Sequence, residues 1–277
     1  MPKFTRREFL AGAAGAAGGA LLPAAAAARE EAPRPERRTL VLPGLDPRHD
    51  GLRVAQLSDL HVGPRTPPQR IRAAIDEADG FRPDLVVLTG DYVSRSRAEV
   101  AQVREQLGGL SAPAVAVLGN HDHWVDAEGT VASLEFLGYD VLRNQHTTLS
   151  LRGAPFTVVG VDDLLTRHAD PHRALAGTSR GSRLVLAHGP KTADLLRGSG
   201  EPLLCLSGHT HGGQVSVPFL TPLVLHALMR EPYARGLFRL GEVQLYVNRG
   251  VGDSALGMRV NSPPEVTLIT LRSGSPS

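Results

Sequence analysis

A chain of 277 residues that is 42% hydrophobic and 21% charged can bury a large core, and it is neither disordered nor membrane-spanning throughout. The formal net charge of +2 gives no argument for nucleic acid: residues 1–28 hold three of the 30 Lys and Arg against one of the 28 Asp and Glu, which leaves the rest neutral. A single cysteine, Cys205, excludes an intrachain disulfide and a thiolate-built zinc site, and its apolar surroundings favour a buried strand residue over a reactive thiol.

In chain order, the first feature is a leader. Residues 5–10 read Thr-Arg-Arg-Glu-Phe-Leu, and a small-residue stretch from Ala11 to Ala28 follows, with several A-x-A cleavage choices. Paired arginines, a weakly apolar stretch and small residues at its end predict a twin-arginine signal peptide over residues 1–28, and hence export of the folded protein to the periplasm or another extracytoplasmic site. The partner for that step is the twin-arginine export machinery; whether the segment is cleaved or kept as a membrane anchor stays open. Residues 29–38 read as a polar linker, 39–272 as one catalytic domain and 273–277 as a flexible tail.

The domain opens with alternating strands and helices. Strands are predicted over 52–57, 85–88 and 114–118, with amphipathic helices over 68–78, 99–110 and 127–137 between and after them. In the first helix, Ile71, Ala74, Ile75 and Ala78 share one face. This β-α-β-α-β order implies a parallel sheet covered by helices. Further strands are predicted over 147–151, 156–161, 184–186, 203–206, 213–217, 244–247 and 265–271, with mixed pairing.

Polar clusters follow these strands. Asp59-Leu-His61 follows the first, Gly90-Asp91 the second and Gly119-Asn120-His121-Asp122 the third; His188 and Gly208-His209-Thr-His211-Gly-Gly-Gln follow later ones. Ligands of open α/β sheets bind outside the carboxyl ends of strands, so the five clusters are expected to converge on one edge. Imidazole, carboxylate and amide oxygen suit divalent Mn, Fe or Zn. Seven such groups exceed the needs of one ion, and a bridging carboxylate between two ions resolves the count.

The ordered set D-x-H, G-D, G-N-H-D, H and G-H-x-H resembles the calcineurin-like metallophosphoesterase family, from Asp59 to His211. The runs 208–214 and Asn-Arg-Gly-Val-Gly at 248–252 are similar to a bacterial exported or membrane-associated branch that includes phosphodiesterases and UDP-2,3-diacylglucosamine diphosphatase-like enzymes. The resemblance implies an α/β fold, a four-layer αββα sandwich with two mixed sheets and a dinuclear metal site at the carboxyl ends of the strands. It implies Asp59, His61 and His211 on one metal, Asn120, His188 and His209 on the other, and Asp91 bridging both. His121 is then the catalytic group at the leaving oxygen, with Asp122 expected to orient it. The expected reaction is hydrolysis of a phosphoester, foremost a phosphodiester, by in-line attack of a hydroxide shared by two divalent ions. The family's G-D-x-x-D is here Gly90-Asp91-Tyr-Val-Ser94, which leaves the support of that loop in question.

Weaker candidates for substrate binding are His123, Arg249 and Arg259. The apolar stretch 215–229 is a candidate for peripheral membrane contact or for an acyl chain. Alternatives are a phosphomonoesterase or nucleotidase, a diphosphatase for a lipid-linked substrate, and a non-catalytic binding protein, which the full ligand set disfavours.

Overall fold

In the computed structural model, residues 32–179, 181–200, 202–214, 216, 231–254 and 259–274 are described. The leader, most of the 215–229 stretch and the last three residues lie outside them. The first sheet has the order β1-β12-β2-β3-β4-β5, built from β1 (Arg34–Val41), β12 (Glu265–Arg272), β2 (Arg53–Leu57), β3 (Leu85–Leu88), β4 (Ala114–Ala116) and β5 (Asp140–Val141). Its strands pair in parallel except β12 with β2. The second has the order β10-β11-β9-β8-β7-β6, from β10 (Gly236–Leu240), β11 (Val243–Val247), β9 (Leu203–Ser207), β8 (Arg183–Ala187), β7 (Ala154–Val161) and β6 (Gln145–Leu151). Here the central four strands are parallel and the two outer pairs antiparallel.

Strand alternation sends side chains to opposite faces, so each apolar strand serves two cores. Val54, Leu85, Val87 and Val115 of the first sheet meet Phe156, Val158, Leu184, Leu186 and Leu204 of the second in the central core. On the far face of the first sheet, Ala55, Leu57, Val86 and Leu88 pack against helices α1 (Pro68–Gly80), α2 (Arg97–Gln106) and α4 (Ala127–Phe136). On the far face of the second, Val159, Val185, Cys205 and Leu245 pack against α5 (Pro171–Leu175) and α6 (Thr192–Leu196). Three cores separate four layers, the αββα sandwich. Cys205 is fully buried and burial pushes its thiol up to about 12, which leaves it unreactive.

Helix α1 starts at Pro68, where a missing N–H costs nothing, and buries Ile71, Ala74, Ile75 and Ala78. Helix α2 starts two residues before its expected position because Ser96 caps it in a capping box with Glu99. Two expectations need correction. The stretch read as a linker enters the sheet at Arg34: β1 lies parallel to β12 in the register Arg34↔Glu265 to Val41↔Arg272. It is an edge strand with mostly exposed side chains, so backbone pairing holds it, and the edge tolerates Pro35. The strand expected over 213–217 does not start at Gly213. A 3-10 turn spans His211–Gly213, and Gly212, Gly213 and Gln214 all have positive φ, which turns the chain back on itself.

Candidate metal centre

Each expected ligand lies just beyond the carboxyl end of a strand within a run of parallel pairs: Asp59 and His61 after β2, Asp91 after β3, Asn120 after β4, His188 after β8, and His209 and His211 after β9. The chain turns sharply at these points. Asp59, His61, Asp91, His209 and His211 all have φ between 46° and 73°, a left-handed conformation that costs non-glycine residues roughly 1–3 kcal/mol each. The motif glycines make room for them. A Cβ on Gly119 would stand 2.2 Å from Asp91 Oδ1, and one on Gly208 would stand 2.3 Å from Asp59 Oδ2.

The side chains converge in three overlapping triads, each with ligand atoms within 4.8 Å of one another: Asp59–His61–His211, His61–Asp91–His121 and Asp91–His188–His209. His211 Nε2 lies 3.3 Å from Asp59 Oδ1 and 3.1 Å from His61 Nε2. Asp91 Oδ2 lies 3.6 Å from His61 Nε2 and 3.3 Å from His188 Nε2, while His209 Nδ1 is 3.2 Å from His188 Nε2. Imidazole nitrogens facing each other at this range, with buried carboxylates between them, form a donor set that suits cations. The amide of Asn120 supplies an independent test. Its Oδ1 is buried without any hydrogen-bond partner, a costly arrangement for a neutral site and the one a metal ligand requires.

The loop after β3 organises the ring orientations. His188 Nδ1 donates to Thr89 O (2.7 Å), His61 Nδ1 to Val93 O (3.3 Å) and His121 Nδ1 to Ser94 O (2.5 Å). Each ring is thereby fixed in the tautomer that leaves Nε2 for the site. Charges follow the same layout. Burial lowers His61 to about 3, and burial with the adjacent His188 lowers His209 to about 4. Burial also opposes charge on His188, but Asp91 and Asp59 hold its pKa well above that of an ordinary histidine.

Residues 52–213 match the calcineurin-like phosphoesterase family. The chain belongs to that family. As a metallophosphoesterase it hydrolyses phosphoester bonds at a dinuclear divalent-metal site. It is 33% identical to the uncharacterized metallophosphoesterase YkuE of Bacillus subtilis (strain 168) over 99% of both chains. It is 37% identical to the phosphodiesterase YaeI of Escherichia coli (strain K12), over 79% of this chain and 82% of that one. To the UDP-2,3-diacylglucosamine pyrophosphatase LpxG of Chlamydia trachomatis it is 29% identical, over 79% of this chain and 83% of that one.

Around this metallophosphoesterase centre, four expectations change. Asp122 does not orient His121. Its buried carboxylate accepts backbone N–H bonds from Gly119 (2.8 Å), Asp91 (2.9 Å), Tyr92 (2.9 Å) and Val93 (3.3 Å), and Ser94 O holds His121 instead. The loop that lacks the family's second aspartate is thus gripped by Asp122 at its start and by Glu99 at its end, where Oε2 accepts from Ser94, Arg95 and Ser96. His123 is tied to Asp162 at 2.7 Å and stacked on His168, away from the ligands. Arg249 is paired with Glu265 and Glu36. Arg259 is buried, paired with Asp253, and places Nη2 2.9 Å from His211 Nδ1, so it backs a ligand and does not face the cavity.

The cavity over the ligands holds about 360 Å³ and is lined by Asp91, Asn120, His121, His209 and His211 together with Arg95, Trp124, Leu165 and Ser254. The last four escaped the sequence reading. Trp124 carried a signal: it is the only tryptophan in the chain, and it stands three residues after His121 in helix α3 (Asn120–Val125).

Proposed function

We propose that this chain is a phosphodiesterase in which Asp59, His61 and His211 hold one cation, Asn120, His188 and His209 hold a second, and Asp91 serves both. The observation that carries this is the position of Asp91, shared between two triads with a histidine from each sheet 3.6 Å and 3.3 Å from one carboxylate oxygen. When bound, the two cations polarise the phosphoryl group and acidify water enough for it to react near neutral pH. The nitrogen and oxygen donors, without thiolate, suit Mn, Fe or Zn. His121 donates through Nδ1 to Ser94 O, so Nε2 is the ring atom left to face the leaving oxygen, and it gives up a proton there from the imidazolium form. Burial of Asp59 and His61 keeps bulk water from competing for the ligand atoms.

The preference for diesters draws support from the similarity to the phosphodiesterase YaeI. A second reading, cleavage of a lipid-linked diphosphate, draws support from the similarity to LpxG. The paired arginines of the leader support export by the twin-arginine machinery to an extracytoplasmic compartment. Among the described residues no helix is long and apolar enough to cross a membrane. A panel of phosphomonoesters, phosphodiesters and a UDP-linked diphosphate, run with Mn, Fe, Zn and Mg, tests the assignment. Diesters turn over fastest on the proposed reading. A monoester or diphosphate preferred with every metal would replace it.

A further inference from the structure

The metal cavity has one apolar wall. Trp124 is 61% and Leu165 56% exposed, among the few large hydrophobic side chains that the described residues leave in solvent, and both line the cavity over the ligands. Scattered single exposed apolar groups are common, whereas these two face the same cavity, the arrangement that marks a ligand-binding surface.

The wall is built. Trp124 sits on α3, one residue after His123, and Leu165 sits in the loop after β7, three residues after Asp162. The 2.7 Å bond between His123 Nε2 and Asp162 Oδ1 joins the helix of one sheet to the loop of the other. Arg143 Nε adds a second bond to Asp162 at 3.3 Å, and His168 stacks on His123 at 4.2 Å between ring centroids. Asp163 closes the Leu165 turn by accepting from Thr166 N and Oγ1. The helix bearing Trp124 and the loop bearing Leu165 are therefore tied together by a largely buried polar bond between residues outside the ligand clusters. The indole lies 5.1 Å from the His121 ring, centroid to centroid. An alcohol leaving toward His121 leaves toward Trp124.

We propose that Trp124 and Leu165 form a seat for an apolar leaving group, so that the enzyme selects phosphoesters whose departing alcohol carries an alkyl or aryl body. This rests on the assignment of His121 to the leaving oxygen and on the phosphodiesterase reading. Neither a sugar alcohol nor a free small alcohol would use the seat, whereas an acyl-bearing or aromatic alcohol would.

A series of methyl 4-alkylphenyl phosphates tests it, with hydrogen, ethyl, butyl or hexyl at the para position. The leaving phenol keeps nearly the same acidity along the series, so apolar contact is the variable. In the metal-loaded wild type, kcat/KM for phenol release rises with chain length, by up to about fourfold per methylene where burial is complete. In Trp124→Ala and Leu165→Ala the rise falls to less than half of that per methylene. Leu195→Ser, at an exposed leucine on α6, keeps the wild-type rise. Wild-type dependence on chain length in both rim variants overturns the seat.

A second measurement needs no turnover. Trp124 is the only tryptophan, so its emission reports on the seat directly. Titration of the wild type with benzylphosphonates bearing the same para-alkyl groups, whose P–C bond is not hydrolysed, shifts the emission with a Kd that falls as the chain lengthens. In Leu165→Ala that dependence is lost. Emission that ignores chain length overturns the seat even if the kinetics are silent. If the wild type releases no phenol with two ions bound, the phosphodiesterase reading fails, and the fluorescence titration still decides the seat.

Discussion

Replacing Asp122 by Asn separates two roles for this residue. If it orients His121, the variant keeps its metals and its stability and loses only turnover. The hydrogen bonds assign it a different task. Oδ2 accepts from Gly119 and Asp91, and Oδ1 from Tyr92 and Val93. An amide keeps one acceptor and sets an NH2 group against the other two N–H donors. Two buried donors left unpaired cost about 1–3 kcal/mol each, so Asp122→Asn destabilises the fold by about 2–6 kcal/mol. Burial and the nearby Asp91 carboxylate push Asp122 up to about 7, against the pull of the backbone N–H bonds from Gly119 and Tyr92, which favour the carboxylate. The loop released is the one that carries Asp91 and the carbonyls holding His61, His121 and His188, so metal content falls with stability. Urea denaturation, read beside metals per chain by elemental analysis, gives both numbers. Wild-type stability with two ions bound, and a loss confined to kcat, would refute the reasoning.

Asp91→Ala removes the carboxylate shared by the His61–Asp91–His121 and Asp91–His188–His209 triads. Metal content drops below two per chain and hydrolysis falls by a factor on the order of 10³, equivalent to about 4 kcal/mol of barrier. His121→Gln keeps both ions and slows turnover by about 10²–10⁴, more for poor leaving groups than for nitrophenol, because proton donation matters most to a basic leaving oxygen. A leaving-group dependence unchanged by His121→Gln would contradict the role. In chelator-treated protein, the contribution of the buried site histidines to stability peaks near pH 6.5, while Asp122 and Glu231, both raised to about 7, contribute in the opposite sense below that pH. Between about pH 4 and 6.5 the unfolded chain holds protons on His61 and His209 that the folded chain lacks, so their contribution falls on acidification, by about 1.4 kcal/mol per pH unit for each such proton. Above 6.5 the folded chain alone keeps the His188 proton, so that contribution is lost as pH rises through its elevated pKa. Thermal denaturation of the chelator-treated protein from pH 6.5 to 9 checks the His188 sign, and the loss of acid-side slope in His61→Gln and His209→Gln relative to wild type checks theirs.

The sandwich was legible because its central strands are buried on both faces and read as unbroken apolar runs such as Leu85–Leu88. The metal cluster was legible because each ligand group follows such a run at its carboxyl end. β1 was hidden because an exposed edge strand carries no apolar alternation, and its long parallel register with β12 is made by backbone alone. Asp122 was misassigned because sequence puts it beside His121, whereas the helix turns it inward toward amides some 30 residues away. The positive φ at His211, Gly212, Gly213 and Gln214 turns the chain at the start of the strand expected over 213–217, and non-glycine residues such as His211 and Gln214 do not advertise that conformation. The wall of Trp124 and Leu165 joins positions from different sheets, and only the closed fold brings them together.

The division of ligands has a mechanical meaning for the protein as a whole. Asp59 and His61 come from the first sheet and His211 from the second; Asp91 and Asn120 come from the first, and His188 and His209 from the second. Any ion held by either set is therefore a cross-link between chain halves, with His61 and His211 alone 150 residues apart in sequence. A cross-link over a span of that order restricts the unfolded chain by about 4–5 kcal/mol in the simplest chain-entropy account of disulfides. Two such rivets at one rim make the reactive edge the most firmly closed part of the sandwich when metal is present, and the first seam to part when it is removed. Amide exchange in the loops after β3 and β9 would accelerate on chelation, while the central core, held by apolar packing and by buried bonds between the sheets such as Gln56 Nε2 to Ser207 O and Tyr246 OH to Glu265, would keep its protection.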